Sequence, residues 1–129
     1  MAPVDLKTTS GHASQASTLR GADLLLPLPS SVRILGKDVS IEYSELEFPD
    51  GETAAGDMSE EKLAIRISPG QLPIEEMDTV MHETVHALDY ILNLGLTERQ
   101  VHMLGSGLIG LFQDNPEFAV FVTRPMPKR

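Results

Sequence analysis

Apolar and polar positions alternate from Val32 to Tyr43: Val32, Ile34 and Leu35 lead to Gly36-Lys37-Asp38, and Val39, Ile41 and Tyr43 follow at every second place. A period of two broken by a glycine turn predicts a strand, a turn and a second strand. Leu63, Ile65 and Ile67 alternate with Ala64 and Arg66 and stop at Ser68-Pro69-Gly70, which predicts a third short strand. The period then changes. Ile74, Met77, Val80, Met81, Val85, Leu88, Ile91 and Leu92 share one face at the helical spacing, so a helix is expected from about Pro73 to Leu92, with proline in the first position that tolerates it. Asn93-Leu94-Gly95 ends it, Gly95 being suited to a left-handed turn. Thr97 and Gln100 form a capping box, and Val101, Leu104, Leu108, Leu111 and Phe112 make a second stripe, predicting a helix over Glu98 to Gln113. Gly105, Gly107 and Gly110 weaken that helix and are expected to allow close backbone approach to a neighbour. The pattern assigns no state to the apolar segment 117–122.

Strands first and helices afterwards argue for an α+β domain, a small antiparallel sheet of about three strands packed on two main helices. At 129 residues there is room for one modest core. Residues 1–30, rich in Ser, Thr, Ala, Gly and Pro and without an apolar period, read as a flexible arm, leaving a single domain over 31–129. From Glu42 to Glu61 there are eight acids and no Lys or Arg, interrupted by Pro49, Gly51 and Gly56, so this stretch is expected to be an exposed acidic loop.

Ten Lys and Arg against 19 Asp and Glu give a formal charge of −9, which repels nucleic acid and anionic membrane surfaces. No apolar run approaches the ~20 residues needed to cross a bilayer. The expected location is the cytoplasm. With no Cys, thiol catalysis and thiolate metal sites are excluded, and a metal must be held by His and carboxylates.

The first predicted helix contains His82-Glu83-Thr84-Val85-His86, the H-E-x-x-H spacing. Residues four apart stand one above the other on a helix, so both imidazoles can reach one tetrahedral Zn²⁺, while Glu83, about 100° round, leans toward its open side. A third protein ligand is required. Glu98 opens the second helix and is preferred, because a second helix supplies a distinct coordination vertex; His102, one turn further on, and Asp89, on the first helix, remain alternatives. Asp89 is otherwise suited to accepting a hydrogen bond from a metal-bound imidazole. With zinc bound, Glu83 is the expected general base in attack by water on a peptide carbonyl.

The run Met81 to Tyr90, then Leu96-Thr97-Glu98-Arg99-Gln100-Val101, Leu104, Gly107-Leu108 and Asp114-Asn115-Pro116, resembles the small H-E-x-x-H proteins encoded by phages and prophages. These are described as zinc metallopeptidases with a layout like that of minigluzincins and ImmA/IrrE-type endopeptidases. The likeness covers residues 32–117 and implies a zincin-like fold, a peptide or protein substrate, and a glutamate third ligand on the second helix, at Glu98. Where that pattern often has Asp or Asn, four residues later, this chain has His102. The resemblance also implies that Leu63 to Ile67, before the motif helix, is an open edge to which an extended peptide adds. Tyr43 and Tyr90 are the two tyrosines that could donate to an oxyanion, though each reads better as a packing residue. A competing expectation is a binding or regulatory module whose zinc is structural or idle; a metal-free protein using its acidic loop as an interface is a third.

Overall fold

The computed structural model describes residues 26–47 and 54–127. Most of the expected arm therefore lies outside the described residues. Packing begins slightly before Val32: Leu28 lies against the core, and Ile41 N–H donates to Ser30 O at 2.9 Å.

The chain forms β1 (Ser31–Ile34), β2 (Lys37–Tyr43), β3 (Gly56–Ser59), β4 (Ala64–Ile67), α1 (Pro73–Leu92), α2 (Glu98–Asp114) and α3 (Pro116–Thr123). The architecture is α+β, as expected, but the sheet has four strands in the order β1-β2-β4-β3 and is mixed. β1 and β2 form a hairpin through Leu35 and Gly36, whose φ values of 47° and 83° are those of the tight turn that suits twisted strands. β2 and β4 are parallel, with Ile41 opposite Ile65 and Tyr43 opposite Ile67; β3 and β4 are antiparallel, with Met58 opposite Ile65 and Gly56 opposite Ile67.

Two expectations are corrected here. The acidic stretch is not all loop, because β3 lies within it. The segment Leu63 to Ile67 is not an open edge, because β4 is hydrogen-bonded on both sides; the edges are β1 and β3.

Alternation along the strands sends Val39, Ile41, Ile65 and Ile67 to one face, where with Ile34 and Ala87 of α1 they form the buried cluster. Full burial of each such side chain contributes about 1.5–3 kcal/mol. The opposite face carries Glu42, Arg66 and Asp57 side by side. Arg66 Nε donates to Asp57 Oδ1 at 2.9 Å, with a second contact from Nη2 to Oδ2, and the neighbouring carboxylate holds the guanidinium pKa above its ordinary value.

α1 is gripped from two sides. Val80, Ala87, Leu88 and Ile91 face the sheet, while α2 packs against α1 rather than against the sheet. Val101 is fully buried. Of the three helix glycines only Gly105 faces a neighbour, and a Cβ there would stand 3.6 Å from Met81 Cγ and 3.7 Å from His82 Cα, ordinary contact distances, so the expected need for glycine is not met; Gly107 and Gly110 face open space. Asn93, left-handed at φ 55°, ends α1, and Gly95 at φ 74° completes the turn. The segment after Pro116 is helical, with Phe118 stacked on Phe112 at a centroid distance of 6.2 Å. Among the described residues no helix is long and apolar enough to cross a membrane.

Candidate metal centre

His82 and His86 lie one turn apart on α1, their ring centroids separated by 4.9 Å. Glu98 reaches them because the turn between the helices is held at both ends. Asp89 Oδ1 accepts the N–H of Leu96 at 3.1 Å. Thr97 Oγ1 then accepts from Gln100 N–H at 3.1 Å, while Gln100 Oε1 accepts from Thr97 N–H at 2.9 Å, so the predicted capping box fixes where α2 starts. Glu98, first residue of α2, sets Oε1 2.6 Å from His82 Nε2 and Oε2 3.1 Å from His86 Nε2.

One nitrogen from each imidazole and one carboxylate oxygen lie within 4.8 Å of one another, and this group can hold a metal ion. The donor set fits. Ligand atoms bound at ~2.0–2.1 Å around a tetrahedral ion lie about 3.3 Å apart. The separations of 2.6 and 3.1 Å fall slightly short of that, and the carboxylate that must shift is the exposed partner: the Glu98 side chain is 69 % accessible against 23 % and 29 % for the imidazoles.

Glu83 is the one buried charged residue among those described, 7 % exposed. Its burial has a local cause in the sheet. The row running Tyr43, Ile67, Gly56 across β2, β4 and β3 ends in a glycine, and Glu83 and Thr79 of α1 occupy the space beside it. A Cβ on residue 56 would stand 2.6 Å from Thr79 Cγ2 and 3.3 Å from Glu83 Cγ. Gln71 pins β3 there: its Nε2 donates to Ala55 O at 3.1 Å and Ser68 O at 2.9 Å, and its Oε1 lies 2.9 Å from Thr79 Oγ1. Loss of water pushes the Glu83 carboxyl up to about 7, with the nearby Asp57 and Glu98 carboxylates adding to the rise. The carboxyl accepts no hydrogen bond among the described residues and lines a cavity of about 400 Å³ between β3, α1 and the start of α2, together with His82, His86 and Glu98.

No family model, curated protein or solved structure matched the chain.

His82, Glu83, His86 and Glu98 come together as the spacing suggested. The two alternative ligands do not join them. His102 has its ring centroid 6.3 Å from that of His82 and lines a neighbouring cavity with Asp78 and Thr79. Asp89 lines the same cavity as His82, His86 and Glu98, but its Oδ1 holds the backbone of Leu96. Neither tyrosine lines the cavity: Tyr43 OH donates to Glu76 Oε1 at 2.8 Å, tying β2 to the first turn of α1, and Tyr90 is about half exposed. Sequence reasoning missed Gly56, Asp57 and Met58, which bring the edge strand β3 to the cavity wall. The one available signal was a glycine inside an acidic stretch just before a predicted strand.

Proposed function

We propose that this chain is a zinc-dependent metallopeptidase, with His82, His86 and Glu98 holding the ion and Glu83 as general base. The observation that carries the reading is the Glu83 carboxyl, buried and without a hydrogen-bond partner among the described residues, on the wall of the cavity that the three ligands share. A structural site of two histidines and a glutamate has no use for an additional carboxylate there, and burying one without a partner is costly. Zinc held by those residues would supply a bound water of lowered pKa and an electrophile for the peptide carbonyl. Glu83 takes the proton from the attacking water and returns it to the leaving amine, its carboxyl lying on the wall of the cavity where both transfers take place. β3 is an open edge at the same cavity, so an extended peptide can add to it through backbone hydrogen bonds. The fit of these residues to the H-E-x-x-H layout of phage-type peptidases points the same way, as does a cysteine-free, acidic composition to a cytoplasmic setting.

The reading predicts one Zn²⁺ per chain after dialysis, lost in Glu98→Ala and retained in His102→Ala, by elemental analysis. Glu83→Gln should keep zinc and fold while hydrolysis of an unstructured protein falls by about 10²–10⁴. Zinc-loaded wild type that turns over nothing in a broad peptide library would overturn the peptidase and favour a module whose metal is structural. Equal zinc in wild type and Glu98→Ala would overturn the ligand assignment.

A further inference from the structure

The cavity wall is short of positive charge. Besides Glu83 and Glu98 it carries Asp57, Glu60 and Asp89, and among the described residues no Lys or Arg lines it. These carboxylates are not equivalent. Asp57 is consumed by Arg66 on the neighbouring strand. Glu98 and Glu83 are committed to the metal and to proton transfer on the reading given above, on which this inference rests. Two carboxylates are left over for a substrate. Glu60 follows directly on the open edge strand β3, four residues past Gly56; Asp89 lies on α1 one turn past His86, with Oδ1 on Leu96 N–H and its second oxygen without a bond among the described residues. Glu60, from the end of β3, and Asp89, from α1, line the same cavity as Gly56, Glu83 and the two histidines. Glu83, without a hydrogen-bond partner among the described residues and more than nine-tenths buried, lines that same cavity, so a group bound there meets a carboxyl that nothing in the fold satisfies.

We infer that the groove selects cationic peptide segments, with a Lys or Arg side chain of the substrate received between Glu60 and Asp89 while its backbone pairs with β3. An ammonium or guanidinium there meets two carboxylates, the exposed Glu60 and the half-buried Asp89, and charge complementarity sets both the rate of encounter and the choice of partner. An acidic peptide meets like charge on both sides and is rejected.

The test uses the full chain, zinc-loaded, and two labelled peptides identical except that one carries Lys and the other Glu at the positions flanking the central bond. Binding is followed by fluorescence anisotropy with Glu83→Gln, so that no turnover confuses the reading, and cleavage is followed with wild type. The Lys peptide should bind about tenfold or more tightly at low salt, with the gap narrowing as salt screens exposed charge. Glu60→Gln combined with Asp89→Asn should close the gap; asparagine keeps an oxygen for Leu96 N–H, so the helical turn and Glu98 are left in place, which zinc content checks. Equal binding of the two peptides, or a preference that survives the double substitution, overturns the inference. Preferential binding of the Lys peptide without cleavage by wild type supports it while overturning the peptidase reading, so the two failures are distinct.

Discussion

Adding one methyl group at residue 56 is the sharpest probe of how the site is built. Gly56 has no unusual backbone angle, so alanine there meets no conformational strain and everything depends on space. The new Cβ would lie 2.6 Å from Thr79 Cγ2, 3.0 Å from Arg66 O and 3.3 Å from Glu83 Cγ, whereas carbon atoms rest at about 3.5–4.0 Å. Two of these neighbours are side chains that can turn; the third is backbone in the middle of β4 and cannot. Overpacking of this kind costs about 1–3 kcal/mol, and the restriction alanine places on the unfolded chain returns about 0.4–1 kcal/mol. Gly56→Ala should therefore destabilise by about 1–2 kcal/mol, read as a lower urea midpoint at unchanged slope. Thr79→Ser removes the closest atom while keeping the hydroxyl near Gln71 and Glu75, so the double variant should recover about 0.5–1 kcal/mol relative to the sum of the singles. An alanine variant as stable as wild type, or a pair that is strictly additive, would refute the close docking of β3 on α1.

Two further outcomes follow from the site. The metal-free protein in chelator should lose stability as pH rises from about 4.5 to about 7, because over that window the unfolded chain ionises Glu83 while the folded chain holds the proton; the swing is about 3 kcal/mol at 1.36 kcal/mol per pH unit. Glu83→Gln should abolish that component, and identical pH dependence of urea unfolding in the two proteins would count against the burial. Thr97→Ala should cost about 1 kcal/mol by removing the cap of α2 and should weaken zinc binding by loosening the turn that carries Glu98, whereas Thr97→Ser should restore both, as measured by urea unfolding and metal titration.

How much of this was legible in the residues depends on how local each feature is. The ends of α1 were visible because Pro73 and the glycine-containing turn after Leu92 act within a few residues. The capping box announced the start of α2, and with it the place of Glu98. Partnership across the fold was not visible. The single apolar stripe assigned to α1 is divided in the structure between the sheet and α2, and Ile74 and Met77 at its start stay largely exposed. β3, reading Gly-Asp-Met-Ser, offers Met58 as its single apolar side chain, too little to betray a strand; β4 makes it one by pairing with it. The burial of Glu83 follows from that pairing and so could not be foreseen from the motif, and Asp89, which suited an imidazole partner, is taken by the N–H of Leu96, three residues beyond Asn93.

The placement of β4 between β2 and β3 also sets an order of assembly. The β1–β2 hairpin closes through two residues and α1–α2 through a short turn, so both can form early and locally. Ser40 meets Ala64 only after the chain between them has looped out, and the entropy of closing that loop must be met before the parallel pairing repays it. The three side chains that can hold a metal belong wholly to the early helical pair, whereas the cover over Glu83 belongs to the β3–β4 hairpin, which joins β2 only through that long-range pairing. The same hierarchy operates in reverse in the finished molecule: a short edge strand of partly exposed residues is the piece that opens first. Each such opening wets the carboxyl and leaves the three ligands in register, so water exclusion and ligand geometry in this fold are separately breakable, and amide exchange along β3 should run ahead of exchange in α1.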